Sequence, residues 1–207
     1  MTSGIFRIIE ADQGNISIDG IDISKLGLHD LREKLSIIPQ EPVLYSGTIR
    51  SNLDPHETCT DAELWTAIKD AHIKPYISKL ENKLDHEVAE NGSNLSVGER
   101  QMICLTRALL KRSKVIVLDE ATSAIDHITD SLIQKTIRNA FSESTIITIA
   151  HRINTIIDYD RILVLDKGEI AEFDTPTKLF SNKKSIFRSL CDESQLSIED
   201  INNSKDL

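Results

Sequence analysis

The stretch Leu95-Ser96-Val97-Gly98-Glu99-Arg100-Gln101, followed by Val115-Ile116-Val117-Leu118-Asp119-Glu120, decides how this chain folds. In the first run, Ser96 and Glu99 fit a capping box: the serine accepts from the backbone three residues on, and the glutamate reaches back to the serine N–H. Met102, Leu105 and Leu109 then recur at helical spacing and mark one apolar stripe. In the second run, four apolar residues make a buried strand and two carboxylates emerge at its C-terminal end. In open α/β sheets, ligands sit beyond that end of the strands.

Reading outward, Gly14 to Ile23 alternates isoleucine with polar residues around Gly20 and reads as an antiparallel hairpin. Leu28 to Lys34 is a short helix, and Leu35 to Ile38 is a strand stopped by Pro39. Asp61 is placed to cap a helix carrying Leu64, Trp65 and Ile68, and Ile73 to Leu80 forms another. With the helix that starts at Ser96, these make a helical subdomain over about 55–112. Strands follow at 115–119, 145–149 and 162–166, with a helix from Asp130 to Phe141 between the first two. That alternation implies a parallel sheet covered on both faces. Gly168 sits in a tight turn before a strand from Glu169 to Phe173. Residues 1–10 read as the tail of a helix with Ile5, Ile8 and Ile9 on one face, and 191–207 as a disordered acidic tail.

The chain has 207 residues, enough for one domain, here 1–190, and is 40% apolar and 28% charged. A net charge of −9 argues against nucleic acid as a partner, because phosphate backbones demand surplus Lys and Arg. No apolar run approaches a membrane span, and no basic-then-apolar signal opens the chain. Cys59, Cys104 and Cys191 are an odd, scattered set without C-x-x-C spacing, which fits a reducing cytosolic setting.

Asp119 and Glu120 are the chemical core of the reading. In phosphoryl-transfer sites a strand-end aspartate holds Mg²⁺ and a neighbouring acid orients the attacking water. The alternative is a strand that happens to end in two solvated acids. The Ser96 turn shifts the balance. A helix N-terminus offers unpaired N–H groups to a phosphate, and a capping box alone accounts for Ser96 and Glu99 but not for Gly98.

Further motifs fall in the same order. Gln40 directly follows the Ile37-Ile38-Pro39 strand end, Ala121-Thr122-Ser123-Ala124-Ile125-Asp126 follows the carboxylates, and His151 follows strand 145–149. Together these resemble the Q-loop, signature, Walker B, D-loop and switch histidine of ATP-binding cassette (ABC) proteins. The resemblance implies a RecA-like P-loop NTPase sheet with an antiparallel hairpin and an inserted helical subdomain. Gly27-Leu28-His29-Asp30-Leu31-Arg32, Ser46 to Pro55 and Leu84-Asp85-His86-Glu87 resemble the second nucleotide-binding domain of the multidrug-resistance-associated subfamily. That subfamily implies ATP and Mg²⁺ as ligands and ATP-driven export of organic anions, drug conjugates or xenobiotics from the cytoplasmic face of a membrane. Its partners would be transmembrane domains and a second nucleotide-binding domain closed head to tail over ATP. ABC ATPases of DNA maintenance carry long coiled coils between Q-loop and signature, whereas Gln40 and Leu95 are separated by a short segment without heptads.

By this resemblance, Asp119 coordinates Mg²⁺ through water, Glu120 polarises the hydrolytic water and His151 contacts the γ-phosphate. Gln40 links the metal to the helical subdomain, and Asp126 communicates across the dimer. Ser96, Gly98 and Glu99 face an ATP held by the other domain. Two departures stand out. The signature reads Leu-Ser-Val-Gly-Glu against the family's Leu-Ser-Gly-Gly-Gln, and G-x-x-x-x-G-K-[ST] is found nowhere in the 207 residues. Residues 1–10 resemble the helix that runs on from that phosphate loop, so the expectation is an N-terminally incomplete domain, truncated just after it and inactive alone. Loss of one oxyanion-type donor costs about 2.7–4 kcal/mol, and a phosphate loop supplies several. The alternative role is non-catalytic, lending the signature to another domain's ATP or regulating a channel.

Overall fold

A computed structural model of the chain describes residues 1–119, 127–150 and 152–203. The chain divides into two compact units, Met1–Ile149 and Ala150–Leu207, each described by itself.

The first unit opens with α1 (Thr2–Ile5), β1 (Ser17–Ile18), β2 (Ile21–Asp22) and α2 (Leu28–Glu33). The expected hairpin is present, with Ile18 opposite Ile21. The expectation for residues 1–10 needs correction. Arg7 takes a left-handed φ of 47°, and the Arg7 and Ile8 amides donate back to the Gly4 and Ser3 carbonyls. These two bonds end the helix in a Schellman motif. Ile5 therefore enters the core while Ile8 and Ile9 stay exposed.

β3 (Leu35–Ile38) comes next, then β4 (Gly47–Thr48), α3 (Ile49–Leu53), α4 (Asp61–Asp70), α5 (Lys74–Ile77) and β5 (Glu87–Val88). β4 and β5 pair antiparallel. Thr60, rather than Asp61, caps α4 and shares a capping box with Glu63. The helix expected over 73–80 is α-helical only through Ile77. Beyond it the Lys79 and Leu80 amides bond three residues back, tightening the last turn into a 3₁₀ form.

α6 (Val97–Lys111), β6 (Val115–Asp119), α7 (His127–Ala140) and β7 (Thr145–Ile149) complete the unit. The sheet order is β3-β6-β7, all parallel, with Ile38 opposite Leu118 and Asp119 opposite Ile149. α6 buries more than the expected stripe. Met102, Ile103, Cys104, Leu105 and Ala108 share one core cluster with Leu53 of α3, Leu64 and Ile68 of α4, Ile116 and Leu118 of β6, and Ile133 and Ile137 of α7. Each fully buried aliphatic side chain contributes about 1.5–3 kcal/mol, so this helix holds the unit together.

Three cations stitch the N-terminal elements to α6. Lys111 Nζ donates to the Arg32 and Leu35 carbonyls, Arg32 donates to the Phe6 and Arg7 carbonyls, and Arg7 donates to the Ile23 and Leu26 carbonyls. Each ties carbonyls of one short element to a more distant part of the chain.

The second unit contains β8 (Ile162–Asp166), β9 (Glu169–Asp174), α8 (Pro176–Ser181), α9 (Ile186–Glu193) and α10 (Ile198–Asn203). Strand 162–166 was expected in the parallel sheet. Among the described residues it pairs antiparallel with β9 in a sheet of its own. Lys167 and Gly168 both have positive φ, 50° and 84°, the two-residue turn that folds a strand straight back on itself. The disordered tail expected from 191 is also corrected. Cys191 and Ile201 are 0% exposed, and Ser197 and Asp200 form a reciprocal cap at the start of α10. Two apolar residues amid acids, Leu196 and Ile201, suffice to dock that helix on the cluster formed by Leu179, Phe180 and Phe187. Residues 204–207 lie outside the described residues.

Glu172 fastens β9 to α9. Its carboxylate accepts from the Ile186 and Phe187 amides at 2.8 and 3.1 Å and from Ser185 Oγ at 2.9 Å. Burial alone would raise its pKa, but these donors outweigh that and hold it below the ordinary glutamate value. Its stabilisation is therefore complete above about pH 4.5 and is lost as pH falls through the lowered folded value. Glu172→Gln should cost about 1–2 kcal/mol at neutral pH, read as a lower melting temperature. The two proteins should converge in stability as the solution is acidified.

Candidate functional site

The parallel ladder brings two of the expected residues to one end of the sheet. β6 ends at Asp119, whose side chain is half-buried while the four residues before it are buried. Ile38 lies opposite Leu118, so the next residues of that chain, Pro39 and the exposed Gln40, emerge beside Asp119. A half-buried carboxylate at a strand end suits Mg²⁺, which keeps most of its waters and takes one or two protein carboxylates. Among the described residues no cluster of three His, Cys, Asp or Glu side chains is placed to hold a metal without such waters. Glu120, Asp126 and His151 lie outside the described residues.

Ser96, Gly98 and Glu99 form a second group at the start of α6. Ser96 is the N-cap. Its hydroxyl accepts from the Glu99 amide at 3.3 Å, and the Glu99 carboxylate accepts from the Ser96 amide at 2.8 Å. The capping box expected from sequence is therefore formed. It settles where the charge of Glu99 goes: the carboxylate folds back over its own helix terminus, where the macrodipole favours it. Tyr76 of α5 lies against it, and burial, with the Glu99 charge second, pushes the Tyr76 phenol up to about 12.

Gly98 has a packing role that the sequence did not disclose. A Cβ there would lie 2.8 Å from Cγ2 of Thr129, so α6 and α7 approach as closely as they do only because residue 98 has no side chain. Arg100 was also missed. It donates to the Gly92 and Leu95 carbonyls at 3.2 and 2.8 Å and closes the loop that enters the signature turn. Nothing in the spacing marks Tyr76 or Arg100, because both act through tertiary contacts.

Among the described residues no hydrogen bond joins the Asp119–Gln40 group to the Ser96–Glu99 group. They are two separate groups on one unit, the second formed by the first turn of α6 itself. A cleft of about 800 Å³ is lined by Cys59, Glu63, Lys69, Leu109 and Arg112 among others, and none of the expected site residues that are described borders it.

Comparison with known proteins places the chain among similar sequences and folds. Residues 2–123 match the family model described as ABC transporter. The chain is 53% identical over 95% of its length to the metal resistance protein YCF1 of Saccharomyces cerevisiae, covering 13% of that protein. It is 56% identical over 88% of its length to the mouse ATP-binding cassette sub-family C member 2, covering 12% of it. It is also 56% identical over 93% of its length to the maize ABC transporter C family MRP4. A solved bacterial Atm1-family ABC exporter with ATP bound superposes with a TM-score of 0.87 at 36% identity, over 95% of this chain and 34% of that one. The chain thus spans about an eighth of the length of the curated relatives it matches.

The cap geometry makes a stability prediction. Ser96→Ala should cost about 1 kcal/mol, the usual loss for an N-cap. Glu99→Gln should change stability by less than about 0.5 kcal/mol, because glutamine completes the same box. Urea denaturation midpoints of the three proteins measure both.

Proposed function

The chain belongs to the ABC transporter family, and we propose that it is the ATP-binding and ATP-hydrolysing module of an exporter in the protein that carries it. The observation that supports this most is the convergence of Asp119 and Gln40 at the C-terminal end of one parallel sheet, with the capped Ser96 turn presented separately. In this reading Asp119 holds Mg²⁺ through water and Gln40 supplies a neutral amide beside it. Glu120 polarises the attacking water, and His151 holds the γ-phosphate geometry. Mg²⁺ supplies charge neutralisation when bound. Ser96 and the free amides at the start of α6 meet the phosphates of an ATP held by a second nucleotide-binding domain, and Asp126 reports across that contact.

The cargo in this reading is organic anions, drug conjugates or other xenobiotics, and transmembrane domains are the mechanical partner on the cytoplasmic face. No described helix is long and apolar enough to cross a membrane.

A second reading is favoured by one fact: the 207 residues contain no G-x-x-x-x-G-K-[ST] run. There the chain contributes only its signature turn to a neighbour's nucleotide, or regulates a channel, without turnover of its own.

The experiment is ATP hydrolysis in the protein that supplies the phosphate loop to this domain. Glu120→Gln should lower kcat by about 10²-fold or more while leaving Mg-ATP binding intact, as loss of a general base does. An unchanged kcat with intact binding would favour the second reading.

A further inference from the structure

The chain between β3 and α3 carries Gln40 at its start and has little regular structure of its own, so its backbone polar groups need partners elsewhere. Helix α6 supplies them. Gln101 Nε2 donates to the Pro39 carbonyl at 3.4 Å, and the Cys104 thiol and Arg107 Nη1 donate to the Val43 carbonyl at 3.8 and 2.8 Å. Arg107 also donates through Nε to the Asn52 carbonyl and through Nη2 to Asn52 Oδ1. Asn52, 0% exposed, completes the set: it accepts from the Tyr45 amide at 2.9 Å and donates to the Tyr45 and Thr48 carbonyls at 2.8 and 2.9 Å. The Arg107 guanidinium lies 5.6 Å from the Tyr45 ring centre, within cation–π range.

Three features make this a strut rather than incidental packing. Gln101, Cys104 and Arg107 stand at successive i, i+3 positions, so one line along α6 reaches the whole loop. Arg107 uses a rigid planar fork to engage two carbonyls and a side-chain oxygen at once, which a lysine ammonium on a flexible stem cannot do. Gln101 is 1% exposed and its Oε1 is buried without a donor among the described residues. An apolar residue would avoid that penalty but could not make the bond to Pro39.

We propose that Gln101 and Arg107 are positioning residues that fix the loop bearing Gln40 to the helix that begins at Ser96. A displacement of α6 at its Ser96 end is then carried to Gln40 as one rigid body. The two groups, which share no direct hydrogen bond, become mechanically one. The catalytic meaning of the link rests on the ATP reading above, but the link itself is a property of the nucleotide-free chain.

Amide hydrogen exchange on the nucleotide-free 207-residue chain tests it, with peptides covering 39–48, 61–70 and 96–104. Arg107→Met should speed exchange over 39–48 by at least about tenfold while 61–70 keeps its protection. Arg107→Lys should recover part of the loss. The decisive step is a coupling test. Gly98→Ala, which forces a shift against Thr129, should alter exchange over 39–48 when Arg107 is present and leave it unaltered when Arg107 is Met. If Arg107→Met does not fold, Arg107→Lys takes its place and the transmitted change should shrink. A loop indifferent to Gly98→Ala in both backgrounds would overturn the proposal, as would uniform loss of protection that includes 61–70. Failure of ATP hydrolysis elsewhere would leave these outcomes untouched.

Discussion

The burial of α6 is the constraint on which the first unit depends. This helix of 15 residues packs its apolar positions against the sheet on one side and against α3, α4 and α7 on the others. Its first turn is the signature segment and its last turn sends Lys111 to carbonyls near the end of α2 and at the start of β3. A helix engaged on so many faces cannot rotate or slide without breaking well-packed contacts. It therefore transmits position, and the functional groups at its two flanks inherit their geometry from it.

That constraint explains how one unit can present two different chemistries. The strand end places a carboxylate where a hydrated divalent cation can be neutralised. In the proposed reading, the helix start is where an anion is met. The Glu99 carboxylate caps that same terminus, accepting from the Ser96 amide, and lies against the Tyr76 phenol. The departure from glutamine at this position is thus conservative in geometry: either residue completes the same two-bond box. Val97 is half-buried in the first turn of the same helix, beside the Gly98 that packs on Thr129.

Much of this was legible in the sequence because it is written in local pattern. The four apolar residues before Asp119 gave a buried strand, Ser96 and Glu99 gave a helix start, and both stand where expected. The misreadings share a cause. Ile8 and Ile9 fit a helical face, but a left-handed Arg7 had already ended the helix. Strand 162–166 looked like its parallel predecessors, but the Lys167-Gly168 turn returns it on itself. The C-terminal stretch read as too polar to fold, yet one buried isoleucine and a serine cap hold α10. Periodicity registers what faces a core; it does not register the single backbone angle that redirects a chain. The support given by Arg107, Asn52 and Arg100 was invisible for another reason. Those side chains bond backbone carbonyls, which carry no sequence signature at all.

In the proposed reading Asp119 and Gln40 face one hydrated metal–nucleotide, and α6 holds the loop behind them. The most direct measurement is a titration with Mn²⁺–ATP followed by NMR of selectively labelled side chains. The paramagnetic ion should broaden the Asp119 and Gln40 resonances first. Broadening that leaves Asp119 and Gln40 sharp while other carboxylates respond would contradict it.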